Sequence, residues 1–187
     1  MGKVYDGIDD RLADFIRRQS AFFVGTAPLA ADGHVNVSPK GLEALAILSP
    51  YEVAYLDLTG SGIETVSHLR ENGRIVIMLC AFEGAPKILR LHGRGEVIEE
   101  EDPRFADLRG LFGDHLGVRS VVRVELDRIS DSCGYGVPRM AYEEDRDTLA
   151  RWAENKGEDG VQAYREEVNG SSIDGLPGLP SVSPVTR

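Results

Sequence analysis

The residues best suited to chemistry lie in a short glycine-rich segment. Leu58 to Thr65 reads Leu-Thr-Gly-Ser-Gly-Ile-Glu-Thr and separates a predicted strand from a predicted helix. Free amides at a helix start, the positive end of the helix dipole and nearby hydroxyl groups can together bind one phosphate. The same pattern fits a turn that uses glycine for its backbone conformation alone. We therefore predict an anion site at Thr59, Gly60, Ser61 and Thr65, with an ordinary turn as the alternative.

A lysine at the end of another predicted strand adds positive charge. Ser38 and Lys40 lie in the segment Val35 to Gly41, which reads Val-Asn-Val-Ser-Pro-Lys-Gly. A lysine can neutralise a phosphate, and the neighbouring hydroxyl can donate a hydrogen bond to it. An ordinary exposed lysine after a proline turn also explains this segment.

A third candidate is the loop Asp131 to Pro138, which reads Asp-Ser-Cys-Gly-Tyr-Gly-Val-Pro. Tyr135 can stack on a flat ring, and the amides of Cys133 and Gly134 can donate to ring carbonyl groups. A plain surface turn is the alternative. The loop is therefore a candidate for the ring end of a ligand.

Other chemistries lack their patterns. His34, His68, His92 and His115 stand far apart, without the spacing of a zinc site, and His68 is expected to be structural or solvent-facing. The sequence contains neither G-x-S-x-G nor G-x-x-x-x-G-K-[ST], and Cys133 has no neighbouring activator. Thr65 replaces the third glycine of G-x-G-x-x-G, and the βαβ pattern is missing. Hydrolase, nucleotidase and Rossmann sites are therefore not predicted.

The elements that position these residues are mostly strands. Strands are predicted at 22–29, 34–38, 44–48, 52–58, 74–82, 87–99 and 120–129, and a hairpin turn at Asp32-Gly33. Helices are predicted at 9–20, with Asp9 or Asp10 as the N-cap, and at 64–71, 103–112, 144–156 and 159–168. Many short strands with few helices predict an α+β protein built on a nearly closed antiparallel barrel.

Length and charge limit the other possibilities. The 187 residues suit one domain, 1–168, followed by a Gly/Pro-rich segment, 169–187, that is either a disordered tail or an arm lying on a partner. A net charge of −10 without a basic cluster argues against nucleic acid and anionic membranes. The longest apolar run is too short to span a bilayer. Two cysteines are too few for a disulfide framework. We expect a cytoplasmic protein with reduced thiols.

Four segments, taken in order, resemble the pyridoxamine 5'-phosphate oxidase-like family. They are Val35 to Gly41, Leu58 to Thr65, His68-Leu-Arg-Glu-Asn-Gly-Arg-Ile75 and Leu89-Arg-Leu-His-Gly-Arg-Gly95, within a resemblance that extends over about residues 8 to 135. The resemblance implies a six-stranded Greek-key split β-barrel that forms a homodimer, with FMN at the subunit interface. It places Ser38 and Lys40 near the cofactor, and Thr59, Gly60, Ser61 and Thr65 around its phosphate. Arg90 joins them from the hairpin strand, and Cys133, Gly134 and Tyr135 form a loop beside the ring.

Two departures from authentic pyridoxamine-phosphate oxidases concern the substrate. Ile63-Glu64 occupies the place of their Arg-Lys pair, and the C-terminus lacks their strand rich in arginine and tryptophan. We therefore expect a related FMN-dependent oxidoreductase that acts on another small molecule. The alternatives are a deazaflavin-dependent reductase of the same fold and a non-catalytic flavin or haem binder.

Overall fold

The computed structural model describes residues 2–179, which form one antiparallel sheet and four helices. The strands are β1 (Val4–Tyr5), β2 (Phe22–Thr26), β3 (Asn36–Lys40), β4 (Leu45–Ser49), β5 (Glu52–Leu58), β6 (Arg74–Cys80), β7 (Ile88–Ile98) and β8 (Val118–Ser132). The helices are α1 (Asp10–Arg17), α2 (Glu64–Asn72), α3 (Phe105–Arg109) and α4 (Thr148–Val168).

The sheet must curl because its two edge strands are consecutive in the chain. The strand order is β3-β2-β6-β7-β8-β5-β4, and β1 pairs with β8. In a flat sheet the six intervals from β3 to β4 would span about 29 Å. The five residue steps from Lys40 to Leu45 reach at most about 18 Å. The edges therefore approach each other, which confirms the predicted α+β split β-barrel.

The connection between the two edges has an unusual backbone. Leu42 (φ 61°) and Glu43 (φ 52°) both adopt the left-handed conformation, which residues with a Cβ atom avoid. Ala44 follows them and is buried against the barrel. The connection thus holds β3 beside β4 and β5 at some conformational cost.

The strand count is eight, whereas the family resemblance implied six and the sequence pattern indicated seven. The pattern missed β1 because two residues show no periodicity, although Val4 pairs with Ser130 of β8. The expected hairpin is present, because β2 and β3 pair antiparallel and the amide of Gly33 bonds to the carbonyl of Ala30, but its connection is longer than the predicted turn at Asp32-Gly33. Strand β2 ends at Thr26 and β3 begins at Asn36, so a nine-residue connection, 27–35, joins them.

The barrel interior is apolar and continuous. Residues Phe22, Val24 and Tyr55 are almost completely buried there. The rings of Phe22 and Tyr55 meet edge to face with their centroids 5.8 Å apart. Because β2 and β5 are not neighbours in the sheet, this contact crosses the interior and links the two halves of the barrel.

The helices follow the sequence signals closely. Helix α1 is capped as predicted, since Asp9 accepts a hydrogen bond of 2.8 Å from the amide of Leu12. Helix α2 ends at Gly73, which has a left-handed backbone (φ 70°). Helix α4 is interrupted at Gly157 (φ 66°, ψ 172°), so it consists of the two predicted late helices in sequence. The first of them begins at Thr148, four residues later than expected.

The segment that follows α4 packs on its own chain. We call residues 169–179 the C-terminal arm. Asn169 and Ser172 are buried, Ser171 bridges to Pro177, and the side chains of Asp174 and His34 lie 2.6 Å apart. Over these residues the arm therefore packs on the barrel of its own chain. The rest of the predicted tail, 180–187, lies outside the described residues, and the domain division stays a prediction.

Within residues 2–179, no helix is both long and apolar enough to cross a bilayer. Acidic, cysteine and histidine side chains of the same residues form no group suited to a metal ion.

Candidate functional site

A buried carboxylate joins the edge strand β3 to β5, the strand next to the other edge. Asp57 of β5 is 1% exposed, and its Oδ1 lies 3.1 Å from Lys40 Nζ at the end of β3. Arg119 of β8 donates from Nε to the other oxygen of Asp57 at 2.8 Å, and Ser120 Oγ lies 3.4 Å from it. We call Lys40, Asp57 and Arg119 the charge cluster. It ties the open side of the barrel together.

A β-bulge brings Arg119 to this carboxylate. Asp57 is paired with Ser120, but Leu58 is paired with Val118, so Arg119 has no opposite residue. Such an extra residue changes the direction of the side chains around it. This is why the consecutive residues Arg119 and Ser120 both reach Asp57.

The cluster holds Asp57 in its ionised form. Burial alone would raise the pKa of the Asp57 carboxyl group, but the charges and hydrogen bonds of Lys40 and Arg119 outweigh burial and lower it. Beside it, burial raises the pKa of Tyr55 well above its usual value. Lys40 Nζ lies 5.8 Å from the Tyr55 ring, and the Tyr55 hydroxyl has no hydrogen-bond partner among residues 2–179.

A third cation stands next to the cluster. Arg165 of α4 donates from Nε to Thr59 Oγ1 at 2.8 Å and from Nη2 to the carbonyl of Val118 at 2.6 Å. Burial and the nearby charge of Arg119 lower the pKa of Arg165. Two cations therefore contact the buried carboxylate of the cluster and a third lies beside them, with Glu100 as the other acidic group near Arg165, in a chain whose net charge is −10. This local excess of positive charge suits an anionic ligand.

The two sides of the glycine-rich bend differ. Thr59 and Gly60 line a groove together with Lys40. The amide and the hydroxyl of Thr59 both bond to the carbonyl of Gly117, whereas the amides of Gly60, Ser61 and Gly62 bond to no described residue. The bend therefore keeps three amides that are unpaired within residues 2–179, and one of them belongs to Gly60, which lines the groove.

The outer side of the bend is covered by the protein itself. A side chain at Gly62 would meet the carboxylate of Glu64, which also accepts a hydrogen bond from the amide of Ile173 in the C-terminal arm. A negative charge thus stands at the start of α2, where the amides of the helix were expected to bind a phosphate. Ser61 faces solvent, and Thr65 is buried and accepts a hydrogen bond of 3.0 Å from Asn36.

The groove has a volume of about 750 Å³, within the usual range for small-molecule sites. One wall comes from α4, where the rings of Trp152 and Tyr164 meet edge to face at 5.0 Å. The other residues that line it lie mainly before β2, after β3 and ahead of α4: Ser20, Ala21, Pro39, Gly41, Leu42, Tyr142, Glu144, Asp145, Arg146, Thr148 and Leu149. The groove combines flat apolar surfaces with a cationic end.

The structure brings together three of the predicted site residues, Lys40, Thr59 and Gly60. Ser38 instead donates to Asn36 at 3.3 Å, and Arg90 of β7 donates to Ser132 at 3.0 Å. As cofactor ligands, all ten predicted residues, including the three that line the groove, stay predictions.

The loop after β8 lies apart from this groove. Cys133 and Tyr135 line a second groove of about 700 Å³ with Lys87 and residues of α1. Gly134 has a left-handed backbone (φ 68°), and its α-carbon faces the backbone of Lys87 so closely that a side chain would collide. Tyr135 is 82% exposed. Within one chain, the loop does not meet the residues expected at the other end of the ligand.

His68 is a structural residue, in agreement with the sequence. It is completely buried on α2, and its Nδ1 lies 3.0 Å from Thr26 Oγ1. Burial lowers its pKa, so the ring is neutral at neutral pH.

Sequence reasoning missed Asp57, Arg119 and Arg165. The signal for Asp57 was present, because a carboxylate inside the apolar run Val-Ala-Tyr-Leu-Asp-Leu needs a cationic partner. Nothing in the local sequence around Arg119 or Arg165 indicates that these residues belong to the site. Their role depends on the bulge in β8 and on where α4 packs.

Comparisons with known proteins agree with this fold. The family model described as pyridoxamine 5'-phosphate oxidase matches residues 8–133. The pyridoxamine 5'-phosphate oxidase family protein ustO of Aspergillus flavus is 42% identical over 196 residues, covering 95% of this chain and 78% of that protein.

Solved structures show the same fold at low identity. HupZ of Group A Streptococcus has a TM-score of 0.51 at 21% identity, covering 72% of this chain and 99% of HupZ. A Clostridium acetobutylicum protein related to general stress protein 26 has a TM-score of 0.51 at 13% identity, covering 76% of this chain and 99% of its own. On the family model and the similarity to ustO, the chain belongs to the pyridoxamine 5'-phosphate oxidase family.

Proposed function

We propose that this protein binds FMN in the groove and acts as an oxidoreductase on a small molecule. The observation that carries the proposal is the excess of positive charge beside Thr59 and Gly60 at one end of an aromatic groove. FMN has the matching form, a phosphate at one end and a flat, largely apolar ring at the other. Family membership supports the same cofactor.

The residues divide the task of binding between them. Lys40 supplies a charge for the phosphate, and the amide of Gly60 supplies a hydrogen-bond donor. Arg119 and Arg165 do not line the groove but add positive electrostatic potential to it. The ion pair with Asp57 holds the side chain of Lys40 in place. The aromatic wall on α4 offers a surface for a ring and excludes water from it. When bound, a flavin supplies hydride transfer through its N5 atom.

The proposal includes a homodimer with the cofactor at the interface. Val37 of the edge strand β3 is 63% exposed, Val35 just before the strand is 72% exposed, and exposed apolar edges favour pairing with another chain. In such a dimer, the loop at Cys133 and Tyr135 of one subunit would contact the cofactor bound in the groove of the other. Sedimentation equilibrium tests this directly, and a monomer at all concentrations would exclude an interface site.

The substrate is proposed to differ from pyridoxamine phosphate. The sequence lacks the strand rich in arginine and tryptophan with which authentic oxidases grip pyridoxamine phosphate, and Glu64 occupies a place where they carry a basic residue. We place the reaction in the cytoplasm, where free thiols such as those of Cys80 and Cys133 persist.

The visible absorption spectrum of the purified protein tests the proposal. We expect the two bands of an oxidised flavin, either as isolated or after adding FMN, and bleaching by NADPH would indicate an enzyme rather than a carrier. A Soret band would favour the haem alternative. A colourless protein that does not bind added FMN would contradict the proposal.

A further inference from the structure

One buried amide side chain links the C-terminal arm to the glycine-rich bend. Asn169 is completely buried, and its Oδ1 accepts a hydrogen bond of 2.9 Å from Arg119 Nη1. Its Nδ2 donates to the carbonyl of Gly60 at 3.0 Å, with the carbonyl of Ser61 at 3.4 Å. The side chain therefore contacts both the charge cluster and the backbone of the bend.

These contacts fix the direction of two amides. In a planar trans peptide the N–H points opposite to the C=O. The carbonyls of Gly60 and Ser61 face Asn169, so the amides of Ser61 and Gly62 face the other way. These are amides that bond to no described residue. Asn169 thus fixes the orientation of the peptides that follow Gly60, the residue of the bend that lines the groove, without contacting a ligand itself.

Arg165 lies in α4, one helical turn before Asn169, and contacts the start of the bend at Thr59. Its guanidinium contacts Thr59 Oγ1 and the carbonyl of Val118, and its carbonyl accepts a hydrogen bond of 2.8 Å from the amide of Asn169. The amide of Leu179 bonds to the carbonyl of Asn169, and a side chain at Gly178 would collide with that carbonyl. The whole unit is closely packed.

We propose that Arg165 and Asn169 are positioning residues that hold the bend 59–62 in the shape required by the cofactor phosphate. The proposal rests on the proposed function and deepens it. Both residues lie outside the stretch 8–133 that matches the family model. Selectivity for the phosphorylated form of the flavin therefore depends on a helix added after the barrel.

Comparing FMN with riboflavin tests this, because riboflavin carries the same ring without the phosphate. The dissociation constants of both are measured by flavin fluorescence for the wild type and for Asn169→Ala and Arg165→Gln. We expect each variant to bind FMN about tenfold more weakly and riboflavin within about twofold of the wild type. A purely structural role would weaken both flavins alike.

A matched variant and a conservative variant complete the experiment. Arg151→Gln removes the same charge from an exposed site on α4, where Arg151 bonds to Asp147, and it should change neither constant. Arg165→Lys keeps the charge and should recover part of the preference for FMN. Thermal unfolding of each variant identifies those that fail to fold.

The outcomes separate this inference from the proposed function. If the wild type prefers FMN and folded Asn169→Ala and Arg165→Gln keep that preference in full, the positioning role is wrong while FMN binding stands. Equal weakening of both flavins by these variants also overturns it. If the wild type binds neither flavin, the proposed function fails and the inference fails with it.

Discussion

The charge cluster and the loop after β8 were both expected to bind one cofactor, yet they are built in opposite ways. Asp57 and Arg119 are buried, and Lys40 is 20% exposed at its side chain, so their geometry is held by the barrel. Tyr135 is 82% exposed, and Cys133 faces solvent. One region is organised within a single chain, whereas the side chains of Cys133 and Tyr135 in the other are left in solvent.

This difference indicates how the two regions would serve a ligand. A buried network of charges keeps its shape before a ligand arrives, so it loses little entropy on binding. An exposed loop gains its order only from what it contacts. We therefore expect changes in the cluster to alter stability and binding together, and changes in the loop to alter neither within one isolated subunit.

The largest effect should come from Asp57→Asn. Lys40 and Arg119 then lose their carboxylate, and breaking a buried pair in this way costs about 3–5 kcal/mol. Urea denaturation at neutral pH measures the loss. Asp14→Asn removes an acidic group from the exposed pair with Arg17 and should cost about 0–1 kcal/mol. Equal losses in the two variants would show that the cluster is not structurally important.

Because of the same carboxylate, we expect the stability of the protein to depend on pH. Because the folded state lowers the pKa of Asp57, its contribution to stability is present above the ordinary value of 3.8 and is lost as pH falls through the lower folded value. The difference in unfolding free energy between the wild type and Asp57→Asn should therefore shrink below that pH. A difference that stays constant across that range would mean that folding leaves the pKa of Asp57 unchanged, so that the cluster does not hold the carboxylate in its ionised form.

Lys40→Ala tests the binding side of the comparison. Removing one charge-assisted contact should weaken FMN binding by about 1.5–3 kcal/mol, as measured by fluorescence titration. Riboflavin serves as the control ligand and should bind nearly as before. Unchanged FMN affinity would remove Lys40 from the site.

Thr59→Val tests whether the bend depends on its hydroxyl. Valine has the same shape but leaves the carbonyl of Gly117 and the guanidinium of Arg165 without this partner, at a cost of about 1–3 kcal/mol. Ser61→Ala, two residues away and exposed, should change the unfolding free energy by no more than about 0.5 kcal/mol. Similar values for both would place Thr59 outside the network.

The smallest effects are expected in the loop. Cys133→Ser and Tyr135→Ala should each leave the unfolding free energy within about 0.5 kcal/mol of the wild type, because both side chains are exposed. Differential scanning calorimetry measures this. A clear loss of stability would show that the loop is already packed against something, and would weaken the contrast with the cluster.

Much of the fold could be predicted from local sequence signals. The cap at Asp9, the αL end of α2 at Gly73 and the period-two strands depend on residues close together in the chain. The candidate site could be predicted only in part. Thr59, Gly60 and Lys40 carry recognisable local patterns, whereas Arg119 acts through a bulge and Arg165 through the packing of a distant helix.

The side of the bend that faces a ligand could not be predicted either. Glycines and hydroxyls look alike from both sides of a turn in the sequence. Which side is free depends on Glu64 and on the C-terminal arm, which cover the outer one. That coverage is a tertiary arrangement over more than a hundred residues of chain, and no local pattern records it.

A crystal structure of the protein with FMN bound tests the central claim most directly, through the position of one phosphorus atom. We predict that the phosphate lies on the groove side of the bend, with its oxygens within hydrogen-bonding distance of Lys40 Nζ and the amide of Gly60. A phosphate found at the start of α2, with Glu64 and the C-terminal arm displaced, or held by the loop at Cys133 and Tyr135, would contradict the account.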